Sequence, residues 1–125
     1  MRIYLAGKFE EAPTIKAYAD ELRRFGHTIS YPWFELHTKP GVPDLTLESI
    51  EDVEGVKSCD AAIFIFEKNL PYSGAMTELG LALAWNKYIV VVGHGGDRNI
   101  FTKHPDVVHV ETWKECHARF TPVVQ

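Results

Sequence analysis

The chain has 125 residues, of which 46% are hydrophobic and 24% charged, and its formal net charge is -4 at pH 7. This composition fits one globular domain with a sizeable core, so we expect a single domain over residues 1–125. Because the chain is acidic and its Lys and Arg residues are scattered, we expect no nucleic-acid polymer as a partner, which leaves a single nucleotide open as a ligand.

The first half of the chain predicts strands that alternate with helices. Apolar runs that end at glycine or proline mark the strands, and apolar residues three and four positions apart mark the helices. In chain order the elements are a strand from Arg2 to Ala6, a helix from Pro13 to Gly26, a strand from Thr28 to Tyr31, a loop from Pro32 to Pro43 and a helix from Thr46 to Ser58. In the last helix, the residues expected to face inward are Leu47, Ile50, Val53 and Val56.

The second half continues the alternation. DAAIFIF, from Asp60 to Phe66, is a continuous apolar run typical of a central strand covered on both faces. The elements that follow are a helix around Glu78, a strand from Tyr88 to Gly93, a glycine-rich loop, a strand from Val107 to Val110 and a helix from Trp113 to Phe120.

Strands alternating with helices predict a three-layer α/β domain with a five-stranded parallel sheet, and the order 2-1-3-4-5 fits the connection lengths best. In that order the two helices that flank the third strand lie side by side on one face. Ligands of open sheets bind beyond the carboxyl ends of the strands. We therefore expect a site built from Gly7 to Phe9, Asp52, and Tyr72 to Glu78.

The sequence predicts a cytoplasmic location. The opening MRIYLAGKF has an apolar run of four residues, too short for a signal peptide, and no run reaches the roughly 18 apolar residues of a membrane span. Cys59 and Cys116 are too few and too far apart for a disulfide framework, which suits a reducing compartment. We expect no membrane partner.

Glu78 is the only acidic residue in the stretch YSGAMTELGLALAWNK. A helix that is apolar nearly all round is buried, so we expect this carboxyl to be partly desolvated, which is typical of a functional acid. The alternative is an exposed or helix-capping glutamate that the helix dipole stabilises weakly.

Asp52 lies in the acidic segment ESIEDVEG, which by itself fits a solvated helix face. Its place on the neighbouring helix, four residues before Val56, favours the cleft instead. Two carboxylates in one cleft indicate glycosyl chemistry, in which one attacks the anomeric carbon and another acid assists the leaving group.

Other motifs are weaker. GHGGDRN lacks the spacing of a phosphate-binding P-loop and fits a turn, and YLAGKF lacks the GxGxxG of a dinucleotide site. Trp33 and Phe34 are either core residues or a pocket wall. The histidines show no HExxH and no zinc spacing with cysteine, so we predict incidental surface or turn histidines and no metal site at His27, His37, His94, His104, His109 and His117.

Together these residues resemble the nucleoside 2-deoxyribosyltransferase family, which also includes 2'-deoxynucleoside 5'-monophosphate N-hydrolases. The resemblance covers most of the chain. It rests on IYLAG in the first strand, on Asp52 eight residues before Asp60, on G-x-x-x-E-L-G-x-A-L from Gly74 to Leu83, and on the NKYIVVV that follows. The spacing of the whole set is fairly specific, whereas IYLAG alone is weak.

The resemblance implies a flavodoxin-like fold, no cofactor, and a homo-oligomer in which neighbouring subunits complete each pocket. By position, Glu78 resembles the nucleophile that forms a covalent deoxyribosyl ester, and Tyr4 the phenol that orients it, although Tyr4 also fits a core strand residue. Asp52 resembles the aspartate that contacts the substrate and is linked to proton transfer at the base. The candidate substrate-binding residues are Gly7, Lys8, Phe9, Trp33, Tyr72, Ser73, Gly74, Met76 and Asn99.

Tyr72 and the segment from Gly7 to Glu11 depart from the family's pattern, and Asn99 has an alternative role. Tyr72 stands where the transferases have an acidic residue and the hydrolases a serine, and Gly7-Lys8-Phe9-Glu10-Glu11 replaces the hydrolases' glycine-serine-arginine phosphate loop, which favours a nucleoside substrate. Asn99 is a candidate for reaching a neighbour's pocket, and the alternative is a helix cap.

We therefore predict an enzyme that cleaves the N-glycosidic bond of 2'-deoxynucleosides through an intermediate on Glu78 and transfers the sugar to a free nucleobase. The alternatives are hydrolysis of a 2'-deoxynucleoside 5'-monophosphate, a non-catalytic nucleotide-sensing module with the same fold, and a glycohydrolase acting on a larger nucleotide such as NAD.

Overall fold

The computed structural model describes residues 1–36 and 44–122. One sheet of five parallel strands has the order β2-β1-β3-β4-β5, which confirms the predicted flavodoxin-like arrangement. The strands are β1 Arg2–Ala6, β2 Thr28–Ile29, β3 Ala61–Ile65, β4 Tyr88–Val92 and β5 Val107–Val110. The helices are α1 Ala12–Arg24, α2 Trp33–Leu36, α3 Leu45–Ser58, α4 Ser73–Ala84 and α5 Trp113–Ala118, with 3-10 turns at Phe9–Glu11 and Ile100–Lys103. Among these described helices, none is long and apolar enough to cross a membrane.

The two faces of the sheet have separate cores. Because successive side chains of a strand point to opposite faces, Ile3 and Leu5 pack with α1 and α5, whereas Tyr4 and Ala6 pack with α3 and α4. The helices α3 and α4 also contact each other, as the strand order predicts. The carboxyl ends of β1 and β3 therefore lie next to these two helices.

The segment after α1 differs from its prediction. The edge strand β2 pairs with β1 only through Thr28 and Ile29, and the chain then turns, with the amide of Trp33 donating to the carbonyl of Tyr31 at 2.9 Å. The predicted loop begins as the short helix α2, which buries Phe34. The remainder of that loop, residues 37–43, lies outside the described residues.

The predicted inward face of α3 is wrong for three of its four residues. Leu47, Ile50 and Val53 are 48%, 57% and 40% exposed, and only Val56 is buried. The inward stripe instead consists of the partly or fully buried residues Glu48, Glu51, Asp52, Gly55, Val56 and Cys59.

Gly55 explains this orientation. A Cβ at Gly55 would lie 2.8 Å from Cβ of Tyr31 and 2.9 Å from the ring of Tyr4, so α3 touches the sheet through a residue without a side chain. Close approach of the helix backbone turns its acidic stripe toward β1 and leaves the apolar residues outside.

Replacing Gly55 by alanine is expected to destabilise the protein by about 1–3 kcal/mol, because the added methyl group must displace α3 or the Tyr4 ring. Urea unfolding followed by circular dichroism measures this loss. The matched control is Gly80→Ala in α4, where a Cβ meets nothing within 4 Å and the helix gains up to about 1 kcal/mol. Equal midpoints for the Gly55→Ala variant and the unmodified protein would contradict the packing described here.

Candidate active site

A cleft of ≈ 350 Å³ opens at the carboxyl ends of β1 and β3, between the β1–α1 turn and the helices α3 and α4. This is the predicted position, because side chains from these segments meet where the strand order reverses. The predicted residues that line the cleft are Tyr4, Gly7, Lys8, Phe9, Trp33, Asp52, Tyr72, Ser73, Gly74 and Glu78.

Glu78 lies half-buried in the cleft on α4, whose first residue is Ser73. The hydroxyl of Tyr4 donates a hydrogen bond to Oε2 of Glu78. Tyr4 itself is 1% exposed, because its ring packs under α3, and it also lines the cleft. The phenol therefore holds one oxygen of the carboxyl group in a fixed position, and the alternative of an exposed or capping glutamate does not describe Glu78.

Burial changes the acidity of this carboxyl group. Removal from solvent penalises the charged form and raises the pKa of Glu78 to about 8, from an ordinary value of 4.5. The hydrogen bond from Tyr4 favours the charged form and so acts in the opposite direction. A carboxyl group with a strongly raised pKa, held in a cleft, is typical of an active site.

Asp52 and Glu48 enter the cleft from α3. The side chain of Asp44 caps this helix by accepting from the amide of Leu47 at 3.1 Å, which fixes where the helix starts. Glu48 and Asp52 are four residues apart, so they project from the same helix face. The cleft thus has carboxyl groups on α3 and on α4.

The β1–α1 turn forms a third wall. A Cβ at Gly7 would lie 2.6 Å from Cδ1 of Ile15, so a larger residue at this position requires the end of the Ile15 side chain to shift. Nζ of Lys8 donates to the carbonyl of Pro71 at 2.9 Å and ties the turn to the segment that leads into α4. The ring of Phe9 is 57% exposed beside the cleft, where a flat partner can stack on it.

Tyr72 contributes a ring to the wall, and its hydroxyl is engaged away from the cleft. The hydroxyl donates to Oε1 of the buried Glu11 at 3.0 Å and accepts from the amide of Lys68 at 3.3 Å. The ring packs on Phe66 at 4.6 Å, and burial raises the pKa of Tyr72 to about 12. Tyr72 thereby positions the start of α4.

Trp33 is part of the pocket wall and Phe34 is a core residue, so each of the two predicted roles applies to one of them. Trp33 lines the cleft and donates from Nε1 to the carbonyl of Leu5 at 2.7 Å, whereas Phe34 is 1% exposed and belongs to the core. Their rings meet edge to face at 5.6 Å, so the core residue supports the wall residue.

Two predicted substrate-binding residues do not line the cleft. Met76 is two positions before Glu78 on α4 and so points away from it; a Cβ at Gly96 would lie 2.8 Å from Cε of Met76, which places Met76 against the loop after β4. Asn99 accepts from the amide of Phe101 at 2.9 Å and caps the 3-10 turn, as the alternative predicted.

Four more residues line the cleft that were not predicted to bind substrate, namely Glu10, Glu48, Pro71 and Ala75. Glu48 precedes Asp52 by one helical turn, and Glu10 follows Phe9, so adjacency to the assigned residues was the available signal. Among the described residues, the His, Cys, Asp and Glu side chains at metal-ligand spacing lie outside the cleft, at His94, Asp97 and His109.

A family model described as nucleoside 2-deoxyribosyltransferase matches residues 3–103. None of the curated proteins compared with the chain matches it. Among solved structures, a 2-deoxyribosyltransferase from Bacillus psychrosaccharolyticus superimposes with a TM-score of 0.72 at 20% identity, over 99% of this chain and 100% of its own.

Two further structures share the fold. The CMP N-glycosidase BcmB of Clostridium botulinum has a TM-score of 0.66 at 17% identity, over 95% of this chain and 97% of its own. A conserved protein from Enterococcus faecalis V583 has a TM-score of 0.70 at 12% identity, over 96% of each chain. At these identities the three structures establish similarity of fold.

Proposed function

The chain belongs to the nucleoside 2-deoxyribosyltransferase family, a family of enzymes, and we propose that it cleaves the N-glycosidic bond of a 2'-deoxynucleoside and transfers the sugar to another nucleobase. The single observation that carries this proposal is the hydrogen bond from Tyr4 to Glu78 inside a cleft that Asp52 also lines. A positioned carboxyl group opposite a second acid is what transfer through a glycosyl ester requires.

In the first half-reaction, an oxygen of ionised Glu78 attacks C1' of the sugar. A carbon–oxygen ester bond forms while the N-glycosidic bond breaks, and the electron pair of that bond leaves with the base. Positive charge develops on the sugar in the transition state, and the adjacent carboxylate stabilises it before capturing C1'. Tyr4 holds the other carboxylate oxygen, which keeps the attacking oxygen oriented.

Asp52 is the proposed proton donor to the leaving base. A departing purine or pyrimidine anion is a poor leaving group, and protonation at a ring nitrogen or carbonyl oxygen lowers the barrier to its departure. In the second half-reaction a nitrogen of the incoming base attacks C1', the ester bond breaks, and the Glu78 carboxylate is regenerated. Asp52 recovers a proton from that incoming base, so the cycle closes.

The charges around the cleft favour a nucleoside over a nucleotide. Glu10, Glu48 and Asp52 add carboxyl groups to that of Glu78, and those that are ionised would repel a 5'-phosphate that approached them. Lys8 is the one basic residue among the described lining residues, and its Nζ already bonds the carbonyl of Pro71.

Hydrolysis of a 2'-deoxynucleoside 5'-monophosphate is the second candidate. Ser73 and Gly74 line the cleft at the amino end of α4, where backbone amides can receive an anion, and Lys8 lies beside them. The similarity to the CMP N-glycosidase fold is consistent with this candidate.

Product analysis separates the two reactions. The protein is incubated with a deoxynucleoside, or with its 5'-monophosphate, in the presence and absence of a second free base, and products are followed by chromatography. We expect a new deoxynucleoside that appears only with the acceptor base. Release of free sugar phosphate from the monophosphate, at a rate independent of the acceptor, would contradict transfer and support hydrolysis.

The rate is expected to depend on pH through Glu78. The nucleophile is the ionised carboxylate, and burial raises its pKa to about 8, so the rising limb of the kcat/KM profile, which reports ionisation of Glu78, should have its midpoint near pH 8. The Tyr4→Phe variant loses the hydrogen bond that favours the charged form, so its profile should shift to higher pH. A wild-type midpoint near 4.5 would contradict the desolvated carboxyl described here.

We also propose that the protein is a homo-oligomer. Leu47, Ile50 and Val53 present an exposed apolar stripe on α3, on the same helix as Asp52, and a second copy packed there would remove this surface from water. Light scattering coupled to gel filtration tests this: we expect a dimer or larger assembly that Ile50→Asp dissociates. A monomeric unmodified protein at micromolar concentration would refute the proposal.

A further inference from the structure

The loop after β4 brings two histidines and an aspartate together outside the cleft, at the carboxyl ends of β4 and β5. One ligand atom from each of His94, Asp97 and His109 lies within 4.8 Å of the others. Nδ1 of His94 is 2.8 Å from Oδ2 of Asp97, and the rings of His94 and His109 are 4.7 Å apart. We propose that these three side chains form a binding site for one divalent transition-metal ion of the Zn²⁺ class.

The second nitrogen of each histidine ring has an oxygen partner. Nε2 of His94 lies 2.6 Å from Oε2 of Glu111, and Nε2 of His109 bonds the carbonyl of Gly93. A carbonyl oxygen only accepts, so Nε2 of His109 carries the proton and Nδ1 keeps its lone pair. Glu111 orients the His94 ring through Nε2, and a cation bound at Nδ1 of His94 takes the place of the proton that Nδ1 shares with Oδ2 of Asp97. Histidines that bind metals characteristically have this arrangement, in which an oxygen acceptor orients the ring through its other nitrogen.

The carboxylate of Asp97 is also oriented by a neighbouring side chain. Its Oδ1 lies 3.3 Å from Nζ of Lys103, while Oδ2 faces His94. The 2.8 Å between Nδ1 of His94 and Oδ2 of Asp97 is close to the separation of neighbouring donors around an ion bound at about 2.0–2.1 Å. The cation therefore inserts between Asp97 and His94 with a small outward movement of both, and Lys103 keeps the carboxylate oriented.

The backbone fixes the loop that carries two of the ligands. The amide of Gly93 donates to the carbonyl of Val110 at 2.9 Å, and the amide of Gly95 donates to the carbonyl of Phe66 at 2.7 Å. A Cβ at Gly95 would lie 1.9 Å from the carbonyl oxygen of Lys68, so the loop lies directly on the segment after β3. His109 comes from β5 itself, so the ligands sit on a supported frame.

The ligand set selects the class of ion. Two imidazole nitrogens with one carboxylate oxygen suit Zn²⁺, Co²⁺ or Ni²⁺, whereas Mg²⁺ and Ca²⁺ prefer sites made of oxygen ligands. Three protein ligands leave a fourth position of a tetrahedral ion for water. Bound metal would join the loop after β4 to β5 and stabilise this edge of the sheet.

Titration calorimetry of the metal-depleted protein with ZnSO₄ tests the site. We expect one equivalent bound, no comparable binding of MgCl₂, and at least about tenfold weaker binding in each of His94→Asn and His109→Asn. The matched control is His104→Asn. His104 is an exposed histidine that faces Asp106 at 3.9 Å and is not one of the three proposed ligands. This control should bind Zn²⁺ as the unmodified protein does.

Circular dichroism and urea unfolding of a third variant test whether misfolding explains the weaker binding. Asp97 is exposed, so Asp97→Asn should retain the native circular dichroism spectrum, and it should also lose affinity for Zn²⁺. Zn²⁺ should raise the urea midpoint of the unmodified protein, because it binds only the folded state, and should not raise that of Asp97→Asn. Absence of stoichiometric binding, or equal affinity in the unmodified protein, His94→Asn and Asp97→Asn, would overturn the proposal.

Discussion

Replacing Glu78 by glutamine is expected to lower the rate of base exchange by at least about 10³-fold, because the amide cannot attack C1' to form the ester. The amide retains the shape of the carboxyl group and accepts from Tyr4, so the fold and substrate binding should persist. Steady-state kinetics with a deoxynucleoside and an acceptor base measures the loss. The matched control is Glu54→Gln, an exposed glutamate of α3 outside the cleft, which should retain full activity.

The same variant also tests the environment of the carboxyl group. The folded protein holds the Glu78 proton up to about pH 8, whereas the unfolded chain loses it near the ordinary value of 4.5, so the unmodified protein loses stability as pH rises through this window. Glutamine does not ionise. The Glu78→Gln variant should therefore gain thermal stability relative to the unmodified protein between pH 5 and pH 9, and a constant difference over this range would contradict the burial of Glu78.

The Asp52→Asn variant is expected to lose about 10²–10⁴-fold in rate, the usual contribution of a positioned general acid. The loss should depend on the leaving group. A base that departs without a proton needs no acid, so a deoxyriboside of a low-pKa leaving group should restore most of the rate of formation of the Glu78 ester.

Single-turnover kinetics with the natural and the activated substrate measures this dependence. Asp106→Asn, an exposed aspartate in the turn before β5, serves as the control and should behave as the unmodified protein does. An equal loss on both substrates would show that Asp52 binds the sugar or supports the helix and does not donate the proton.

Much of the fold follows from local patterns that agree with one another. The continuous apolar run of β3 predicts a strand covered on both faces, and all its residues from Ala61 to Ile65 are buried. Helices between the strands require parallel pairing, and the order β2-β1-β3-β4-β5 then places α3 and α4 together. The position of the cleft is a consequence of that order, which is why most candidate residues could be assigned to it before the structure was known.

The orientation of α3 could not be predicted from apolar spacing. Leu47, Ile50 and Val53 form a regular stripe, yet the helix turns that stripe outward because Gly55 packs on the Tyr4 ring. Hydrophobic periodicity identifies the helix, whereas close backbone approach at a glycine selects its inward face. Gly55 was the sequence signal for the orientation of α3, but it predicts the inward face only when its contact with the Tyr4 ring is known.

The proposed metal ligands His94, Asp97 and His109 show a second limit of prediction from sequence. His94 and His109 are separated by a 3-10 turn and a strand boundary, so no metal-binding spacing appears along the chain. Parallel pairing of β4 with β5, with Val91 opposite His109, brings them together.

The predicted role of Met76 in substrate binding followed from its closeness to Glu78 in the sequence. Helix geometry instead places Met76 against Gly96.

Trapping the intermediate tests the role of Glu78 most directly. The protein is mixed with a deoxynucleoside without acceptor base, quenched in acid within one turnover, and analysed by intact mass and peptide mapping. We expect a mass increase of one deoxyribosyl group on the peptide that contains Glu78, and none in Glu78→Gln. An adduct on another residue, or turnover without any adduct under these conditions, would contradict attack by Glu78 on the sugar.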